Sequence, residues 1–143
     1  MLIMKVKGRL GPGNDDMKTM RVLNRVVEWT DEEIICEADQ RHADLLVKGL
    51  VYEVNTQGVV TPGVKTKLDE SYDRELNEQE ASSFISLASR SYYLAQDRPD
   101  IQYVTQELCR DMSSPKERSW LALTRLGGYL QDKPRMVHTF PRQ

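Results

Sequence analysis

Ser114-Pro115-Lys116-Glu117-Arg118-Ser119-Trp120-Leu121-Ala122-Leu123-Thr124-Arg125-Leu126 is the stretch on which the fold class turns. A serine cap, a proline in the first turn and a glutamate three residues beyond the cap form a strong helix start, because each satisfies or removes a backbone donor left without an intrahelical partner. Trp120, Leu123, Leu126 and Leu130 then recur at helical spacing. The same grammar appears twice upstream. Asn77 and Glu80 fit a capping box, with Phe84, Leu87, Ala88, Ser91 and Ala95 on one face behind them. Pro99 suits a first helical position, and Ile101, Val104, Leu108 and Met112 fall on one stripe after it. Three short helices joined by short links predict a compact antiparallel bundle over 77–133.

N-terminal to this block the pattern is different. Leu2 to Leu10 reads as a strand, and Gly11-Pro12-Gly13-Asn14-Asp15-Asp16 as a turn. Met20 to Trp29, rich in β-branched and aromatic residues, is joined through Thr30-Asp31-Glu32-Glu33 to Ile34-Ile35-Cys36-Glu37-Ala38, which predicts an antiparallel hairpin. Asp39 is placed to cap a short helix in which Ala43, Leu46, Val47 and Leu50 recur up to Tyr52. Residues 54–76 carry no period and predict an extended tether, and Met136 to Phe140 near the end reads as the start of a strand. The expectation is therefore an α+β chain: a small antiparallel β block with one short helix over 1–53, a linker over 54–76, a three-helix bundle over 77–133 and a tail over 134–143.

Composition narrows the function. The chain has 143 residues, 29% of them charged, with 20 Lys and Arg against 22 Asp and Glu for a net charge of −2. A protein built for a broad electrostatic grip on nucleic acid shows a basic excess, and this one does not. No apolar run approaches the roughly 20 residues of a membrane span, and the alternating, charged start is not a signal peptide. Cys36 and Cys109 form no metal motif or disulfide framework, and predict two buried or half-buried thiols in a reducing, intracellular compartment.

The search for catalytic chemistry is negative. Asp15/Asp16 and Glu32/Glu33 fall in predicted turns and read as solvated charge. A two-metal polymerase or nuclease holds its carboxylates rigidly around metal ions about 4 Å apart, and this pattern does not supply them. His42, in a first helical turn, and His138, near the end, have no nucleophile motif beside them. Gly11-Pro12-Gly13 lacks the lysine and hydroxyl residue that end a phosphate loop. No metal or cofactor is expected.

Leu87-Ala88-Ser89-Arg90-Ser91-Tyr92-Tyr93-Leu94-Ala95-Gln96-Asp97-Arg98-Pro99-Asp100-Ile101, followed by Glu107 to Pro115 and by Trp120 to Leu130, resembles copia-type retrotransposon reverse transcriptases. Leu23-Asn24-Arg25-Val26-Val27, Glu37-Ala38-Asp39-Gln40-Arg41-His42-Ala43 and Thr61-Pro62-Gly63-Val64 are similar to the same RNA-directed DNA polymerases, in the same order. The resemblance implies the segment of that transposable-element enzyme between its metal-binding YxDD motif and its RNase H domain. The hairpin block would correspond to the primer grip, and the helices to the thumb and connection region. It implies too that the polymerase carboxylates lie before this stretch and the nuclease carboxylates after it, so that the stretch alone does not catalyse nucleotide transfer.

Charge departs from that pattern. Between Asn77 and Lys133 there are seven basic and eight acidic residues, whereas a thumb holding a duplex by its phosphates should be basic. Leu121 falls off the Trp120 stripe and widens the apolar surface. Gly127-Gly128 either admits another backbone closely or weakens the helix. Decay of a dead element and adaptation to a new role both account for these features. Two functions follow. In one, the chain retains weak primer–template binding through Lys5, Lys7, Arg9, Arg25, Arg90 and Arg98. In the other, it is a domesticated structural or interaction subunit of a larger protein assembly, docking through Leu121, Tyr129, Tyr92 and Tyr93.

Overall fold

The computed structural model describes residues 6–23, 25–38, 40–50, 59–63 and 72–141. It is mixed α and β: strands β1 (Thr19–Val22), β2 (Arg25–Trp29) and β3 (Glu33–Ala38), helices α1 (Arg41–Leu50), α2 (Glu78–Ala95), α3 (Gln102–Arg110) and α4 (Glu117–Asp132), then strand β4 (Val137–Pro141). The chain divides into two compact units, one of residues 1–39 with 136–143 and the other of residues 40–135.

The first unit is a four-stranded antiparallel sheet in the order β1-β2-β3-β4. The expected single strand from Met20 to Trp29 is two strands. Val22 pairs with Arg25, and the chain reverses after Leu23, whose φ of 54° lies in the left-handed region. The turn at Thr30 is tied by its own side chain, which donates to the Glu33 carbonyl at 2.8 Å and accepts the Glu33 N–H at 3.0 Å. The loop before β1 is closed by Asp16, whose carboxylate accepts the Gly13 N–H at 2.8 Å, and by Lys18, which donates to the carbonyls of Gly11 and Gly13 at 2.9 and 3.3 Å. A Cβ on Gly11 would meet Asp16 Oδ2 at 2.7 Å, so a larger residue there would displace the carboxylate that closes this loop. Of the expected strand over Leu2–Leu10, the described residues 6–9 are irregular, and Leu10 forms one isolated bridge to Met17. The strand expected near the end exists as β4, paired antiparallel with β3.

The second unit holds four packed helices. The three expected from their start signals are joined by α1, which packs on α2 and α4 and belongs with the helices rather than with the strands. The physical cause is its face: Ala43, Leu46 and Leu50 are buried, and a helical stripe of that kind is covered by other helices. Gly49 lets α1 approach closely, since a Cβ there would come to 2.6 Å from a Leu87 methyl. Phe84, Ile101, Leu123 and Leu126 complete a core with no exposed surface.

The helix starts are built in different ways. At α2 the capping box forms as expected: Asn77 Oδ1 accepts the Glu80 N–H, and Glu80 Oε2 accepts the Asn77 N–H, both at 2.9 Å. Pro99 opens a 3-10 turn (Pro99–Ile101) that leads into α3. Ser114 does not cap α4, which begins after Lys116. The backbone of 115–117 is engaged elsewhere: the Pro115 carbonyl accepts from Leu76 N–H at 3.1 Å and Glu117 N–H donates to the Arg74 carbonyl at 2.9 Å. That pairing keeps Lys116 extended, and Ser119 serves the start instead, accepting the Lys116 N–H and donating to Asp111 at 2.6 Å. In the expected linker, 59–63 and 72–76 are described and both are held on helices. Arg125 donates to the carbonyl and hydroxyl of Thr61 at 3.1 and 3.0 Å, and Glu75 bridges Lys116. The cap expected at Asp39 lies outside the described residues.

Candidate functional site

The residues singled out from the sequence, Lys5 apart, now have a place, with two corrections. Arg98 is 1% exposed and is not a phosphate contact. Its guanidinium donates to Asp100 from Nε at 3.0 Å and from Nη2 at 2.8 Å, and to the carbonyls of Lys133 and Pro134 at 3.0 and 2.9 Å. Five donors in a fixed fork suit this task, holding a carboxylate and the carbonyl end of α4 together. Tyr129, expected on a docking surface, is 7% exposed. Its hydroxyl donates to Asp100 Oδ2 at 2.9 Å, and the Lys133 ammonium lies 5.5 Å from its ring centre. Burial pushes the Asp100 carboxyl up, but the hydrogen bonds from Arg98 and Tyr129 outweigh it and hold the group below the usual carboxylate range. The same burial and the facing carboxylate raise the Tyr129 hydroxyl. Arg98, Asp100 and Tyr129 form a structural knot. The only signal in the sequence was the Arg98-Pro99-Asp100 spacing, where proline turns an arginine toward a carboxylate two residues on.

Tyr92, Tyr93 and Leu121 do reach the surface, 54%, 51% and 41% exposed. Tyr92 and Tyr93 are edge to face, with centroids 6.3 Å apart. Tyr93 stacks on His42 at 6.2 Å with the rings 28° apart. This aromatic row bridges the start of α1 and the last turns of α2, and its histidine was missed because the sequence does not show that the two helices pack. The solvent side of α2 around it is uncharged over a long run: Ser82, Ser83, Ile85, Ser86 and Ser89 precede the tyrosines, with Arg90 the one charge between Glu80 and Asp97. Ile85 is 40% exposed on this side.

The remaining basic candidates lie in both units. Lys7 and Arg9, in the segment before β1, and Arg25 on β2 are exposed, and Arg9 pairs with Asp16 at 3.4 Å. Arg90 is half-buried on α2, and Lys5 lies outside the described residues. In the helical unit many cations are already engaged. Arg74 lies between Glu80 and Glu117 at 3.5 and 3.6 Å, Lys116 and Arg118 share Asp73 at 2.7 and 3.1 Å, and Arg110 pairs with Glu107. By sequence, the unit of residues 40–135 has thirteen basic and fourteen acidic residues, and the other has seven and eight. Neither unit carries the net positive charge that a broad grip on a polyanion needs.

Among the described residues, no group of three or more His, Cys, Asp or Glu side chains is placed to hold a metal ion, and no helix is long and apolar enough to cross a membrane. No family model matches the chain, nor does any curated protein or solved structure.

Proposed function

We propose that this chain is a non-catalytic interaction module, related to the thumb and connection region of copia-type reverse transcriptases, that joins a larger protein assembly through the aromatic side of its helical unit. The observation that carries the reading is the exposed pair Tyr92 and Tyr93, with half-buried His42 stacked on Tyr93, beside an uncharged helix surface. Tyrosine offers large contact area at low conformational cost, and half-exposed rings among uncharged neighbours lose little solvation when covered. Leu121 adds a second exposed apolar position on α4. The engagement of Arg98, Arg74, Lys116, Arg118 and Arg110 within the unit supports the same reading, because cations already neutralised contribute little to duplex binding. Relation to the reverse transcriptases rests on the separated sequence motifs and is consistent with a hairpin preceding a helical cluster.

Two measurements test the proposal. Titration with a primer–template duplex at low salt should show no saturable binding; binding that weakens steeply as salt rises would replace this reading with a retained polymerase grip. The chain purified from its native source should carry a stoichiometric protein partner that Tyr93→Ala and Leu121→Glu release while leaving the fold intact. A monomer at every stage of purification would sink it.

A further inference from the structure

The strand unit carries a cavity that neither the motifs nor the aromatic row uses. It lies along β1, the strand at one end of the sheet order, and is lined by Lys7, Met17, Met20, Arg21, Val22 and Leu23. Its volume is about 320 Å³, and small-molecule sites begin at about 300 Å³, so the space suits a short chain rather than a large cofactor. The local backbone explains how it forms. Met17 N–H donates to the Arg9 carbonyl at 2.9 Å, and Gly11 N–H to the Met17 carbonyl at 3.3 Å, which ties the segment before β1 in place. A Cβ on Gly8 would lie 2.6 Å from Met17 Sδ and 3.3 Å from Met20 Cε, so the bare glycine settles on the two thioethers and brings Lys7 to the rim. At the β1–β2 turn Leu23 holds a φ of 54° with 86% of its surface exposed. Strain of that kind, not recovered by packing, concentrates at ligand clamps and switch regions. Met17 and Val22 are exposed as well. The described lining includes two cations and no carboxylate.

We propose that this cavity binds a small apolar carboxylate, its chain against Met17, Met20, Val22 and Leu23 and its head at Lys7. Each part of the ligand answers a part of the lining. The chain takes exposed apolar surface out of water, which supplies most of the affinity. Unbranched methionine side chains adjust to the shape of what they cover. The ionised head meets the Lys7 ammonium in a solvent-exposed position, where a charge pair adds a modest increment and selects against cations. Arg21 contributes positive potential at the same cavity. The strained leucine gains a purpose in this arrangement: it stands open in the free protein and is covered by the bound chain.

Octanoate, octanol and octylamine share one chain and differ in the head, so they separate the two parts of the proposal. Each is titrated into the whole protein at neutral pH and low salt, followed by amide and methyl NMR. Octanoate should saturate with a Kd of about 1 mM or tighter, with shifts concentrated on Met17, Met20, Val22 and Leu23. Octanol should bind about fivefold more weakly, and octylamine more weakly still. Lys7→Gln should bring octanoate to the level of octanol and leave octanol unchanged. Leu23→Asn should weaken octanoate and octanol alike, about tenfold, by removing an apolar wall. A merely structural leucine would not give that loss, because the substitution relieves strain in the turn. Equal affinity for the three heads, shifts spread over both units, or no saturation up to the solubility limit of octanoate would each overturn the proposal. The comparison of heads needs no variant, so a Leu23→Asn protein with an altered turn would still leave the question decided.

Discussion

The two units hold themselves together by different means. In the helical unit Leu46, Phe84, Ile101, Leu123 and Leu126 have no exposed surface at all, whereas in the strands Ala38 alone is buried and the rest are half-buried or exposed. The helices carry their stripes at fixed spacing and cover one another. The sheet relies on its ladder of backbone bonds and on side chains that tie its turns, Asp16, Lys18 and Thr30. A large truncation should therefore cost far more in one unit than in the other. Phe84→Ala should destabilise the helices by about 4 kcal/mol, through lost burial and the cavity left behind. Val27→Ala, on a half-buried strand position, should cost about 1 kcal/mol or less. Hydrogen exchange resolved by segment reads both, and equal losses would break the contrast.

The next effect comes from the one charged side chain among the largest fully buried ones, Arg98. Removing it leaves Asp100 facing Tyr129 with no cation, and frees the carbonyls of Lys133 and Pro134. Arg98→Ala should cost about 3 kcal/mol in chemical denaturation, since a partly buried carboxylate loses its compensation. Lysine should not restore it, because it lacks the fork that reaches three acceptors. The pH dependence has a definite sign. Asp100 titrates below its unfolded value, so it stabilises the fold above the ordinary carboxylate range, and that contribution is lost as pH falls through the lower, folded value. Asp100→Asn should flatten the acid limb of a stability–pH curve. An acid limb as steep as wild type would show that other groups drive it.

A smaller contrast lies at the helix starts. Asn77→Ala removes the acceptor that Glu80 N–H uses at 2.9 Å, and should cost about 1 kcal/mol. Ser114→Ala should cost close to nothing, because α4 starts beyond it and draws on Ser119. Thermal melts of the two variants side by side check this, and a comparable loss at Ser114 would contradict the observed start.

What the sequence made legible follows the same division. Helical periodicity and caps are local, so the buried faces of α2, α3 and α4 could be read from Phe84, Leu87, Ile101, Val104, Leu123 and Leu126 without knowing what covered them. Partnership is not local. That α1 joins the helices, that β4 returns to pair with β3, and that Tyr93 meets His42 depend on contacts between residues far apart in the chain. Arg98 was misread for a related reason. An arginine ahead of a proline looks like exposed charge until the carbonyl end of α4 is brought to it. Ser114 shows the reverse failure, a correct local signal overridden when 74–76 took the backbone of 115–117.

The left-handed residue at the end of β1 was also illegible, and it sets the finest test. Leu23 is 86% exposed with φ of 54°. A β-carbon in that region crowds the following carbonyl, a penalty of roughly 1–2 kcal/mol that asparagine largely escapes through its short polar side chain. The side chain makes no compensating burial, so the strain at the β1–β2 turn is not recovered by packing. Leu23→Asn should therefore stabilise the sheet unit by about 0.5 kcal/mol, with the gain reduced from the full penalty because the unfolded chain changes too. The effect should appear as slower amide exchange across the Met20–Val27 and Val22–Arg25 pairs, with the helices unaltered. A loss of protection there would mean that the exposed leucine contributes a contact to the turn that its burial does not show.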